Sequence, residues 1–207
     1  MTAATATPFE RIAEFYDRRV AEFGHDPRAC DYGRHESQRR KFEALSAALD
    51  YRGRSVLDVG CGFADYAGFL RERHEGVRYA GVDLSPAMIA RARALHAGLD
   101  LRVANILEEP AGETFDVVSA NGIFYLLGAA APELMPRLVR AMFARCREAV
   151  IFNSLSTWAS VLEPGEYYAD PLATVAWCRE LSPWVSLRHD YLPHDFLVVL
   201  RRQPSVP

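Results

Sequence analysis

Apolar residues recur at helical spacing from Pro8 to Phe23, where Phe9, Ile12, Ala13, Tyr16 and Val20 are set among charges. A second amphipathic helix is predicted from Ser37 to Leu49, with Phe42, Leu45 and Leu49 on one face. Between them, Gly24 to Gly33 reads as a loop with Asp-Pro and Tyr-Gly breakers, and residues 1 to 7 read as a frayed tail. Short apolar runs then alternate with helical stretches. Strands are predicted at Ser55–Val59, Val77–Asp83, Asp100–Ala104, Phe115–Ala120, Glu148–Asn153, Trp184–Tyr191 and Phe196–Arg201. Helices are predicted at Ala64–Arg73, Pro86–His96, Pro132–Arg145 and Pro171–Leu181, with an irregular stretch from Ser154 to Asp170.

This alternation predicts an α/β fold: a mostly parallel sheet with helices on both faces. The last pair departs from it. Only Leu192-Pro193-His194-Asp195 separates the final two strands, too little for a parallel crossover, so they form an antiparallel hairpin. The expectation is a seven-stranded sheet whose last strand is reversed. One domain is expected over 1–207, with residues 1–50 as a helical cover and 54–207 as the core.

Composition narrows the classes. A chain of 207 residues, 50% hydrophobic and 25% charged, is ordinary for a globular protein and excludes disordered, collagen-like and coiled-coil chains. A net charge of -3 and a pI near 6.1 argue against a nucleic-acid binder driven by basic charge. Lys41 is the only lysine among 24 basic residues, which reads as codon bias. Cys30, Cys61, Cys146 and Cys178 lack C-x-x-C and zinc-finger spacing and read as reduced thiols. No compact metal cluster is visible. The N-terminus has neither a basic nor an apolar signal region, and no run approaches the ~18 apolar residues of a membrane span. A cytoplasmic location without membrane association is expected.

The strongest local signal is Val56-Leu-Asp-Val-Gly-Cys-Gly-Phe-Ala64, a glycine turn between a strand and a helix. Such glycines let the backbone approach a ligand. Asp83 ends the next strand, 21 residues beyond Gly62, where an acid can bind the ribose hydroxyls of an adenosine. Asp58 decides between cofactors. A pyrophosphate needs helix N-terminal amides with no carboxylate beside them. S-adenosylmethionine has no phosphate and carries a sulfonium and an ammonium, so a carboxylate inside the loop suits it. A structural turn with Asp58 satisfied by backbone amides is the alternative.

The motifs Val56-Leu-Asp-Val-Gly-Cys-Gly, Gly81-Val-Asp-Leu-Ser-Pro-Ala-Met-Ile89 and Phe115-Asp-Val-Val118 resemble the successive motifs of class I S-adenosylmethionine-dependent methyltransferases. The terminal hairpin agrees with that family's Rossmann-like sheet. Ala64 stands where many members have a third glycine. The resemblance implies that Asp58 and the Gly60-Cys61-Gly62 loop hold the methionine end of the cofactor. It implies that Asp83 takes both ribose hydroxyls and that Leu84 packs on the adenine. Asn105 and Ile106 would border the adenine, Asn105 replacing an Asp and still able to accept a hydrogen bond. Asn121 would lie near the sulfonium. A wider resemblance to small stand-alone bacterial members rests on Gln38-x-x-x-Phe42, Asn121-Gly-Ile-Phe124, Asn153-Ser-Leu155, Tyr168-x-Asp-Pro171 and His189-Asp-Tyr191.

Ligands of open α/β sheets bind at the carboxyl ends of parallel strands. This rule selects Asn121 to Tyr125, Asn153-Ser154, and His189, Asp190, Tyr191 and His194 of the hairpin. Strand alternation would put His189 and Tyr191 on one face and Asp190 on the other. His189 with Tyr191 is the favoured catalytic pair, because an imidazole accepts a proton at cellular pH, and Asn153 is the third catalytic candidate. Tyr167-Tyr-Ala-Asp170 reads as a lid or as an apolar cover of the sheet edge. Tyr16, Tyr32, Gln38 and Arg39 of the N-terminal region are the other candidate cover. Arg39 or Arg40 could pair with the methionine carboxylate or form a solvated face. The function expected is methyl transfer to a small molecule. The rivals are intramolecular cyclisation of the cofactor releasing methylthioadenosine, and non-catalytic cofactor or partner binding. The oligomeric state is not legible.

Overall fold

The computed structural model of the chain describes residues 6–31, 35–110 and 112–205. Tyr32 and Gly33 of the expected N-terminal cover and loop, and residues 1–5 of the expected tail, lie outside them. Local sequence explains the helix starts. Thr7 caps α1 (Pro8–Phe23) in a reciprocal capping box with Glu10. Ser85 caps α4 (Pro86–Leu95) and Asp170 caps α6 (Pro171–Cys178), each helix opening on a proline whose missing N–H costs nothing there. The other helices are α2 (His35–Ala47), α3 (Asp65–Arg71) and α5 (Ala131–Arg145).

The strands are β1 (Ser55–Val59), β2 (Arg78–Asp83), β3 (Asp100–Val103), β4 (Phe115–Ala120), β5 (Cys146–Leu155), β6 (Trp184–Leu192) and β7 (Asp195–Arg201). They form one sheet in the order β3-β2-β1-β4-β5-β7-β6. β7 runs antiparallel to both β5 and β6, so β6 points the same way as β1 to β5, as the hairpin argument requires. Two short 3-10 segments, Pro27–Cys30 and Tyr125–Ala130, are additions that apolar periodicity could not resolve. Among the described residues no helix is long and apolar enough to cross a membrane.

Each face of the sheet has its own core. On one, Val118, Val150, Phe152, Val198 and Leu200 pack with Met135, Val139 and Met142 of α5. On the other, Val56, Val117, Ile151 and Val199 pack with Leu45 of α2, Leu70 of α3 and Ile89 of α4. Phe152 is fully buried on β5, edge-on to Phe124 at 5.6 Å and stacked with Trp177 at 6.4 Å. Phe152→Ala should therefore cost about 3–5 kcal/mol, read as a lower urea midpoint with an unchanged slope.

Candidate functional site

A cavity of about 470 Å³ opens at the carboxyl ends of the strands, within the roughly 300–1,000 Å³ of small-molecule sites. Its inner wall is the loop between β1 and α3. Gly60 has a φ of +74°, and a Cβ there would stand 2.3 Å from Ile123 Cγ2, so only glycine lets the loop meet the β4 end this closely. Ala64 holds a φ of +60° at the start of α3, a left-handed conformation where glycine would be unstrained.

The loop amides turn away from the cavity. Gly60 N and Cys61 N donate to Val82 O at 2.8 and 3.1 Å, and Gly62 N donates to Asp83 Oδ2 at 2.9 Å. No anion-binding nest is left for a pyrophosphate. Carboxylates line the cavity instead. Asp58 is buried, accepting from Tyr79 Oη at 2.6 Å and Ser119 Oγ at 2.9 Å. These are side-chain hydroxyls, not the backbone amides of the turn alternative. Burial pushes the Asp58 carboxyl up to about 6, against the two hydroxyls, which pull it down. Asp83 also accepts from Ser85 N at 2.9 Å, and burial raises its carboxyl against the lowering effect of its amide donors. This donor set fits a cationic, phosphate-free ligand.

Cys61, Leu84, Asn105, Ile106 and Asn121 all line the cavity. Asn105 is held in place: its Oδ1 accepts from Leu107 N at 3.1 Å and its Nδ2 donates to Glu108 at 2.8 Å. A carbonyl oxygen has two lone pairs, so one acceptor position remains beyond the Leu107 bond.

The model of a methyltransferase domain matches residues 56–149. A Mycobacterium tuberculosis protein, Rv1506c, whose methyltransferase name is itself an inference, is 32% identical over 159 residues, covering 72% of this chain and 93% of the relative. The chain belongs to the S-adenosylmethionine-dependent methyltransferases. A trans-aconitate 2-methyltransferase from Mycobacterium is 27% identical, and the match spans 72% of this chain but only 53% of the relative. The magnesium protoporphyrin IX methyltransferase of Synechocystis PCC 6803, solved with bound S-adenosylmethionine, shares the fold of this methyltransferase. Its TM-score is 0.72 at 12% identity, covering 98% of this chain and 100% of that one.

Two covers close the methyltransferase cavity. Tyr16 of α1 meets Tyr125 Oη at 3.0 Å, and Tyr125 donates to Asp31 at 2.8 Å, joining α1, the first 3-10 segment and the loop after β4. Asp17 accepts from Ser85 Oγ and Ala87 N, fastening α1 to the start of α4. In the second cover, Tyr168 lines the cavity while Tyr167 packs on the core, so the two readings of that segment apply to different residues. Gln38 lines the cavity. Arg39 and Arg40 instead pair with Glu43 and Glu36 on an exposed face, the solvated alternative for both.

The hairpin needs correction. His189 and Tyr191 do not line the cavity, and they do not share a face. The register shifts between Arg188 and Leu192, which breaks strict alternation. His189 bonds Ser156 Oγ at 2.7 Å and is flanked by Trp158 and Phe196, on the α5 side. Tyr191 packs toward the α2 side and donates to Asp195. Asp190 is exposed and pairs with Arg188. Only His194 of the four lines the cavity.

Asn153 is likewise behind the wall. Its Oδ1 accepts from Gly122 N at 2.7 Å, and its Nδ2 donates to Asp195 Oδ1 at 2.8 Å. Asp195 and Lys41 do line the cavity, as a buried pair 2.8 Å apart. Sequence reasoning passed over both, although a lone lysine inside a helical cover was the available signal.

The raised Asp58 carboxyl makes a testable stability statement. The folded protein holds this proton more tightly than the unfolded chain. Its contribution is therefore fully present below pH ~4 and is lost as pH rises through ~6, by up to about 3 kcal/mol. The unfolding free energy of wild type minus that of Asp58→Asn should fall by that much between pH 4 and 7. A difference that stays flat refutes the shift.

Proposed function

We propose that the enzyme transfers the methyl group of S-adenosylmethionine to a small-molecule acceptor seated between the Asn121–Tyr125 loop and His194. The observation that carries this reading is the cavity itself. It runs from Asp83 and Asn105, past the glycine loop, to the ends of β5 and β7, beneath α1 and the 159–168 segment. A related ribosomal RNA methyltransferase from Kineococcus radiotolerans, 30% identical, matches over only 30% of its own length. A covered cavity favours an acceptor on the scale named for the trans-aconitate enzyme over a polynucleotide.

Bound cofactor supplies an electrophilic methyl on a sulfonium. Asp83 would take the ribose hydroxyls with the lone pairs its amide donors leave over. Leu84 and Ile106 would flank the adenine, and Asn105 would accept from its amino group. Asp58, the Gly60-Cys61-Gly62 loop and Asn121 would face the methionine end. Orientation and exclusion of water supply most of what a displacement needs, up to ~7–11 kcal/mol. Burial and the Lys41 ammonium lower the His194 imidazole below its ordinary value, so it stays neutral and able to accept a proton. In this reading His194 takes the place expected of His189.

Incubation with S-adenosylmethionine and candidate acceptors should release S-adenosylhomocysteine. Methylthioadenosine as the product would replace this reading with cyclisation of the cofactor. Asp83→Ala should weaken cofactor binding by about 1.5–3 kcal/mol for each charged hydrogen bond lost, measured by calorimetry with an unchanged circular dichroism spectrum. Unaltered affinity would show that the ribose is held elsewhere.

A further inference from the structure

We infer that Lys41 is the carboxylate-binding cation of this cavity, and that the carboxylate it binds belongs to the methyl acceptor. The inference rests on the methyl-transfer reading and extends it to the class of acceptor. Lys41 is the chain's only lysine among 24 basic residues, and its side chain is 9% exposed on the cavity wall. None of the described arginines lines the cavity, whereas carboxylates line it throughout: Asp58 and Asp83 beside the glycine loop, and Glu163, Glu166 and Asp195 toward His194. Among the described residues the cavity thus has many carboxylates and one ammonium. A ligand carboxylate entering it meets a cation at one place.

The ion pair with Asp195 does not by itself account for the lysine. Asp195 already accepts from Asn153 Nδ2 at 2.8 Å and from the Tyr191 hydroxyl. A buried pair held only for stability is often matched by apolar replacement. What Asp195 does is fix the ammonium, 2.8 Å away, at the cavity wall. The position selects the acceptor over the cofactor. Asp195 opens β7 opposite Leu155 at the end of β5, and β4 and β5 separate β7 from β1, which carries the glycine loop. Ser154 and His194 line the same end and add neutral polar groups, with the Glu166 carboxylate acting on His194. The anchor also connects to the reacting end. Asn153, bonded to Asp195, accepts from Gly122 N at 2.7 Å in the loop after β4.

The test compares wild type, Lys41→Met and Lys41→Arg, each saturated with S-adenosylhomocysteine. The probes are cinnamate and succinate, each against its amide, cinnamamide and succinamide. Wild type should bind at least one acid about tenfold tighter than its amide. Lys41→Met should abolish that preference and Lys41→Arg restore part of it. Acids and amides that bind alike in wild type, or a preference that survives Lys41→Met, would overturn the assignment. A second arm compares S-adenosylhomocysteine with 5′-methylthioadenosine, which lacks the carboxylate. Both should change less than about threefold in Lys41→Met. A loss of about tenfold or more confined to S-adenosylhomocysteine would place the carboxylate on the cofactor and overturn the acceptor assignment. Wild type that binds no S-adenosylhomocysteine would sink the methyl-transfer reading on which this one stands. If Lys41→Met alone does not fold, the Lys41→Met/Asp195→Asn pair removes both charges together and is measured in its place.

Discussion

The site depends on how the loop after β1 is tied to the end of β2. Val82 O and the Asp83 carboxylate take the amides of Gly60, Cys61 and Gly62. An amide can serve one strong acceptor, so those three bonds decide what the cavity cannot bind. The loop presents no cluster of free N–H groups to a phosphate, and the carboxylates of Asp58 and Asp83 face the ligand instead. The same bonds draw the loop against Ile123, which is why Gly60 admits no side chain. One local hydrogen-bond pattern thus sets the backbone path, the residue it requires and the sign of the ligand's charge.

A second constraint works from the other end of the sheet. Asp195 is fully buried, with Asn153, Tyr191 and Lys41 around it. A buried carboxylate without partners would be costly, and each of these donors comes from a different element. The network therefore fixes α2 of the cover, β5 and the last hairpin in one geometry. Through Asn153 it reaches Gly122, beside the glycine loop's neighbour Ile123. The tyrosine chain of Tyr16, Tyr125 and Asp31 attaches α1 of the same cover to that same loop after β4. Both helices of the N-terminal cover are thus tied to one short segment, which lines the cavity beside the glycine loop.

The strand order around the glycine loop was legible because periodicity and turn chemistry agree there. Short apolar runs end in Val59 and Asp83, proline and serine mark the helix starts, and a four-residue connection forces the final hairpin. Asp58 and Asp83 were legible for the same reason: each sits at a strand end, where backbone direction alone aims it at the cavity. The hairpin residues were not. Alternation assumes an unbroken ladder, and the irregularity between Arg188 and Leu192 sends His189 and Tyr191 to opposite faces. Asp31, Lys41 and Asp195 were illegible for a different reason. Their roles come from partners far away in sequence, which no local pattern encodes.

Lys41 shows how composition can mislead. A single lysine among many arginines is weak information about a surface, where the two cations are largely exchangeable. It becomes strong information once the residue is buried beside a ligand cavity. A guanidinium is a broad planar fork, whereas an ammonium is a compact point charge on a flexible stem. In the space between Asp195 and the cavity wall the compact charge fits a pin and an anchor at once. Asn153 and Tyr191 both donate to Asp195 Oδ1, while the Lys41 ammonium faces Oδ2, which has no other hydrogen-bond donor among the described residues. A ligand carboxylate therefore shares the ammonium with Asp195 rather than drawing it away, which keeps the cation at the cavity wall while it binds.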